Sequence, residues 1–362
     1  MAVYEIKQSK PAPSNLRGPI KWVLDNLLSS PLNVALTFLG IAFLFWVIPP
    51  FVKWAIIDAD FIGTTKADCT GDGACWIFIH QKLTLFIYGF YPQDEYWRLN
   101  TAFGLAFVFV ALFKYVGKNF ITKIIIFAIY PIVAFILISG GYFGLEIVPT
   151  DKWGGLSLTL IIASVGIVLA FPIGVVLAFG RASKLPIIKN LSIVYIEFIR
   201  GVPLISILFM ASVILPLFFP EGVNFNKLLR ALIGITLFQA AYVAEVIRGG
   251  LQAIPKGQYE AADSLGLSYW QKMLLVILPQ ALKVAIPNLV GASIALFKDT
   301  SLVLIIGLFD LLAMVHLTGS DASWMGFETE GYVFVTMIYW IFCFSLSKYG
   351  KYLEDRFNTN NR

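Results

Sequence analysis

Lys298 and Asp299, followed by Thr300 and Ser301, place a cation, an anion and two hydroxyls inside a long apolar run. A zwitterion carrying one carboxylate and one ammonium group is the complementary ligand, because a buried charge needs an opposite charge or hydrogen bonds. The competing role is an ion pair with Glu197, Arg200 or another chain. Glu197 and Arg200 are three residues apart, as are Glu245 and Arg248, so each couple suits a local pair on one helical face or a gate. Gln239 and Tyr242 lie deeper in the same run as Glu245 and are candidates to line a polar path. Together with Lys298 to Ser301 they form the candidate substrate pathway. Catalytic chemistry has little to work with. The only histidines are His80 and His316. There is no paired-histidine metal motif and no Gly-x-Ser-x-Gly elbow. A metal site of Cys69, Cys75 and His80 would have three ligands in one loop, and none is expected. No Gly-x-x-x-x-Gly-Lys-Ser/Thr phosphate loop occurs, so any ATP must be hydrolysed by another chain.

The elements that hold these groups are hydrophobic helices. Of 362 residues, 58% are hydrophobic and 14% charged, with mean hydropathy +0.79. A soluble domain would carry about a quarter charged residues. Runs of about 20 apolar residues span a bilayer as a helix. Eight spans are predicted, at 32–51, 99–116, 124–144, 156–179, 191–219, 228–247, 284–308 and 331–347. The alternation of a membrane barrel is missing from them. Residues 1–31 show no short apolar core with a cleavage site, so the first span is expected to remain as an anchor.

Basic residues set the orientation. Lys7, Lys10, Arg17 and Lys21 precede the first span. Lys114, Lys118 and Lys123, then Arg181, Lys184 and Lys189, then Arg248, Lys256, Lys272 and Lys283 fill alternate gaps. Lys348, Lys351, Arg356 and Arg362 follow the last span. Residues 309–330 carry Asp310, Asp321, Glu328 and Glu330 and no Lys or Arg. Both termini are therefore expected in the cytoplasm of a multi-pass inner-membrane protein. The net charge of +5 needs no nucleic-acid partner. Cys69 and Cys75 fall in the long outer loop 52–98, where an oxidising compartment favours a disulfide, two free thiols being the alternative. The loop's six acids and its aromatics read as interfacial anchors or as a docking surface for an external protein.

Composition shifts near residue 150. Spans in 32–150 are rich in Phe, Ile and Leu and resemble an accessory region. From 151 to 349, Gly, Ser, Thr, Pro and intramembrane charges become frequent, which suits a working core. A tail follows at 350–362. Within the core, the segment 254–283 predicts two short helices joined by a turn. Pro255 suits a first helical turn. Gly266 suits a left-handed closing position. Ser268 with Gln271 makes a capping box, and Pro279 is expected to end or kink the second helix. Leu265, Leu267, Trp270 and Leu274 are apolar contacts for a soluble partner or for the membrane surface.

The spacing Glu260-Ala261-Ala262, three residues, Gly266, nine residues, then Val276-Ile277-Leu278-Pro279 resembles the signature of importer permeases of the ABC transporter class, with Val276 where Ile is usual. Tyr242 to Gln258, Tyr195 to Leu204 and Lys298 to Leu302 are similar to its polar amino-acid branch. The resemblance covers roughly 154–349. The extra N-terminal spans and long loop resemble the general L-amino-acid, or glutamate/glutamine/aspartate/asparagine, permeases. The resemblance implies an all-α type I importer permease, with five C-terminal spans as core and three added N-terminal ones. It further implies a second homologous permease subunit, an ATPase dimer binding ATP and Mg, a periplasmic substrate-binding protein and an L-amino-acid substrate. Glu260, Ala261, Ala262, Gly266, Leu278 and Pro279 would form the coupling contact with the ATPase. An ion-gradient-driven secondary transporter is the alternative; it typically shows two related halves, and it would leave that loop without a purpose.

Overall fold

A computed structural model describes residues 18–115, 120–220 and 225–357. Lys7, Lys10, Arg17, Lys118 and Arg362 of the orientation argument lie outside them, as do the side chains of Lys114 and Lys123. The described residues form helices and loops with no named strand. In chain order the helices are α1 (Pro19–Asn26), α2 (Pro31–Val52), α3 (Trp76–Tyr88), α4 (Tyr96–Tyr115), α5 (Phe120–Ser139), α6 (Gly155–Ala182) and α7 (Pro186–Gly201). They continue as α8 (Leu204–Phe209), α9 (Lys227–Gln252), α10 (Lys256–Ser264), α11 (Tyr269–Gln271), α12 (Leu278–Asp299), α13 (Leu311–Gly319) and α14 (Glu328–Phe357).

Five described helical stretches are long and apolar enough to cross a membrane: Pro31–Ile57, Gly155–Ala182, Lys227–Gln252, Tyr269–Ile306 and Glu328–Phe357. A sixth is the pair Pro186–Gly201 and Leu204–Phe218, bent by 104°. Pro203 sits at that break, and its ring disfavours helical backbone in the residue before it. The eight expected spans are thus represented by five, or six with the bent pair. The expected second and third spans are the helices α4 and α5. Of these only Ala128–Ser139 stands out, as a shorter apolar helix.

By contacts the chain divides between Ile77 and Phe78. In the first unit, α2 is apolar all round and buries none of its residues, as a lipid-facing helix does. Its loop is tied locally. Cys69 and Cys75 are bonded with Cα atoms 5.7 Å apart. Asp60 accepts from the Thr70 N–H at 2.7 Å and from its hydroxyl at 2.9 Å. The Trp76 indole donates to the Ala55 carbonyl at 2.8 Å.

In the second unit, residues within 78–153 pack against particular residues that follow them. Phe78 lies against Trp324 and Phe327, with ring centroids 5.7 and 6.3 Å away, and Phe86 lies 5.7 Å from Phe334. Lys82 pairs with Asp321 at 2.7 Å, which holds the Asp321 carboxyl below its usual range. Tyr91, Leu99, Ile138 and Val148 share one apolar cluster with Leu158, Ile162, Ile235 and Leu296. Arg98, almost fully buried, ties this corner by donating to the Glu146 carbonyl at 2.6 Å and to Glu95 at 2.5 Å.

The spine of this unit is α6 against α9 and α12. A Cβ on Gly174 would stand 2.5 Å from a Val243 methyl, and one on Gly250 would stand 2.5 Å from the Ala281 carbonyl oxygen. Only glycine permits these approaches, the usual means by which membrane helices pack without a hydrophobic drive. The core therefore has two ends. At one, the Gly155 N–H donates to the Phe309 carbonyl beside Asp310. At the other, a second apolar cluster gathers Ala170, Val243, Ile247, Met273, Ile277 and Ala281 around the segment that contains Gly266.

Candidate functional site

The segment between α9 and α12 is built from local rules. Asn226 caps the start of α9 by accepting from the Leu229 N–H. The α9 helix ends at Gln252, and α10 starts after Pro255. Gly266 then takes a left-handed φ of +72°. Its N–H reaches the Asp263 carbonyl at 2.9 Å, and the Leu267 N–H reaches the Ala262 carbonyl at 3.3 Å. This double closure satisfies carbonyls that a helix end leaves orphaned. Ser268 and Gln271 form the expected capping box, with the Ser268 N–H on Gln271 Oε1 at 2.9 Å.

The second expected helix does not stop at Pro279. It passes through a π-helical stretch, Lys272–Ile277, and continues as α12. Proline has no N–H and its ring crowds the carbonyl four residues back. The wider turn just before it accommodates both, and Leu278 and Pro279 become the first residues of α12.

The segment has an inner and an outer face. Ala262, Met273 and Ile277 are buried. Lys272 pairs with Asp263 at 2.5 Å, Gln280 donates to Gln258 at 3.1 Å, and the Tyr259 hydroxyl donates to the Leu251 carbonyl at 3.2 Å. Burial raises the Tyr259 phenol above its ordinary value, so it stays a donor. On the other face Glu260 and Ala261 are exposed, with Leu265 (79%), Trp270 (59%), Leu274 and Leu275 (70%). An acid thus stands beside large exposed apolar side chains, a composition that suits an interaction surface.

Just above it the ends of α6, α7 and α9 meet in a charge cluster. The expected local pair Glu245–Arg248 is present, at 2.5 and 2.9 Å. Glu197 does not pair with Arg200. It accepts from Arg181 of α6 at 2.8 Å, and Arg181 also reaches Glu245 at 3.3 Å. Arg200 lies 4.0 Å from Glu245, its guanidinium 5.5 Å from the centre of the Tyr242 ring. Glu245 draws all three arginines together, so partners across helices replace the pair within α7.

The pathway candidates separate. Gln239 is buried and clamps α9 to α12 by donating to the Ala292 carbonyl at 3.0 Å. The Thr300 hydroxyl is fully buried and donates to the Phe297 carbonyl at 2.8 Å. Ser301 donates to the Lys298 carbonyl at 3.0 Å. Lys298 is exposed and Asp299 half-buried, and neither pairs with Glu197 or Arg200 among the described residues. Among the described residues no cluster of three His, Cys, Asp or Glu could hold a metal ion.

Sequence reasoning passed over Asp310 and Tyr339. Asp310 is fully buried and caps α13 through the Ala313 N–H at 3.0 Å. Its second oxygen accepts from the Tyr339 hydroxyl at 2.9 Å. The cap was visible as an Asp before an apolar run; its partner, 29 residues on, was not.

An all-helical chain with several membrane-length apolar helices and a compact folded segment between two of them suits a transport permease. Residues 170–359 match the family described as binding-protein-dependent transport system inner membrane component. The chain is 56% identical over 356 residues to the inner membrane amino-acid ABC transporter permease protein YhdY of Escherichia coli K12, covering 97% of this chain and 96% of that one. It is 38% identical over 429 residues to the glutamate/glutamine/aspartate/asparagine transport system permease protein BztC of Rhodobacter capsulatus, covering 99% and 98%. A crystal structure of an amino acid ABC transporter with histidines matches with TM-score 0.50 and 32% identity over 56% of this chain and 92% of that chain. The chain belongs to the binding-protein-dependent transport system inner membrane component family. It is a multi-pass permease subunit of an ABC transporter, a transport component and not an enzyme. Membership implies an ATPase and a substrate-binding protein as partners.

Proposed function

We propose that this chain is one transmembrane half of an ATP-driven importer of polar L-amino acids, with glutamate, glutamine, aspartate and asparagine among its substrates. The named relatives support that substrate class. A second homologous permease completes the path, two ATPase subunits bind ATP and Mg, and a periplasmic binding protein delivers substrate. Both termini and the Gly266 end face the cytoplasm, in keeping with the basic residues gathered there. Residues 32–150 act as an accessory region around the core 151–349.

The observation that carries the reading is the segment 254–283. Its buried face is locked to the span ends by Ala262, Met273 and Ile277, while Glu260, Leu265 and Trp270 are left free for a partner. ATP-driven closure of the ATPase pair pushes this face, and the motion passes into α9 and α12 to alternate access. Lys298 and Asp299 contact the substrate's carboxylate and ammonium, and the Glu197, Arg200, Glu245 and Arg248 cluster gates the cytoplasmic side.

The test is gentle purification from the native membrane with mass spectrometry of what co-purifies. An ATPase with a phosphate loop and a second permease with its own Glu-Ala-Ala segment are expected. A chain that stays alone under conditions that preserve other transporter complexes would refute the reading.

A further inference from the structure

Where α6 and α9 end and α7 and α10 begin, the chain forms an open recess of about 560 Å³. Arg181, Lys189 and Arg248 stand on its wall with Gln252 and Tyr259. The two arginines are partly neutralised by Glu197 and Glu245. Arg181 reaches both carboxylates through Nη1, one nitrogen of a group that carries five N–H donors. Lys189 is exposed and has no carboxylate partner among the described residues. The recess therefore holds positive charge and donor capacity that the chain itself does not satisfy.

Its position narrows the occupant. The ends of α6 and α9 are ends of membrane-spanning helices, so the recess opens at the depth of lipid headgroups. The first turns of α7 present Lys189 and Ile193, four residues apart on one helical face, to the recess. Basic pockets between helices at a membrane surface hold lipid phosphates.

We propose that this recess is a binding site for the phosphate group of an anionic membrane lipid, with Lys189 and the free face of Arg181 as its donors. Occupancy would brace α7 against α9 directly beside the partner-facing segment.

The test measures lipid, not transport, so it stands or falls separately from the import reading. The full chain is extracted in mild detergent and its bound phosphatidylglycerol quantified by native mass spectrometry, with phosphatidylcholine as control. Lys189→Gln should lower phosphatidylglycerol retention about fivefold, and Lys189→Arg should preserve it. Inorganic phosphate at millimolar concentration should displace little of it. Equal retention by Lys189→Gln and the parent would overturn the site. Displacement by inorganic phosphate as readily as by added phosphatidylglycerol would keep the phosphate site and overturn the lipid as its source.

Discussion

Replacing Gly266 by alanine isolates one contribution to the energetics of the segment 254–283. A Cβ at this position meets nothing within 4 Å, so packing is untouched. What changes is the backbone: φ is +72°, where an L side chain crowds the carbonyl that follows. That cost is about 1–2 kcal/mol. It falls on the two bonds that close α10, from Gly266 to Asp263 and from Leu267 to Ala262. The segment should therefore open locally about 5- to 30-fold more often. Hydrogen–deuterium exchange of peptides covering 256–275 reads this directly, since local opening is faster than global unfolding. Exchange in α6 and α9 should be unchanged. Gly266→Asn should fall between parent and alanine, because asparagine tolerates left-handed backbone better. Exchange in Gly266→Ala indistinguishable from the parent, or raised equally in α9, would refute the argument that this closure is a local backbone device.

Glu260→Lys is expected to abolish ATP-dependent amino-acid uptake while membrane insertion, followed by fractionation, stays normal; unimpaired uptake would remove Glu260 from the ATPase contact. Asp299→Asn should impair uptake or change the range of amino acids taken up, and an unchanged profile across all of them would make Asp299 structural. Tyr339→Phe leaves the buried Asp310 oxygen without its donor and should lower stability by about 1–3 kcal/mol, seen as a reduced thermal midpoint of the detergent-solubilised chain.

The spans at α6, α9 and α14 were legible because each is a long apolar run, and the turn at Gly266 because glycine and a capping box are local signals. The resemblance to the family followed from the spacing around Gly266 together with the stretches Tyr195 to Leu204, Tyr242 to Gln258 and Lys298 to Leu302. The rest depends on partners distant in sequence. Nothing near Glu197 marks Arg181 as a nearer partner than Arg200, since the choice is made by where α6 ends. The π-helical turn before Pro279 has no residue signature, so the proline was expected to end or kink a helix that instead continues through it as α12. Composition suggested a boundary near residue 150, but the aromatic contacts of Phe78 and Phe86 with the segment 324–334 join two regions far apart in sequence. The pair Pro186–Gly201 and Leu204–Phe218, bent by 104°, reads as one hydrophobic run because polarity is blind to direction.

The continuity from Tyr269 to Ile306, 38 residues in all, makes that stretch a lever. Its fulcrum is the contact at Gly250, where the Ala281 backbone comes so near that neither helix can slide. At about 1.5 Å per residue, Trp270 stands roughly 16 Å from that pivot on one side and Lys298 roughly 26 Å on the other. Turning as one rigid body about that contact, the stretch would carry Lys298 about one and a half times as far as Trp270.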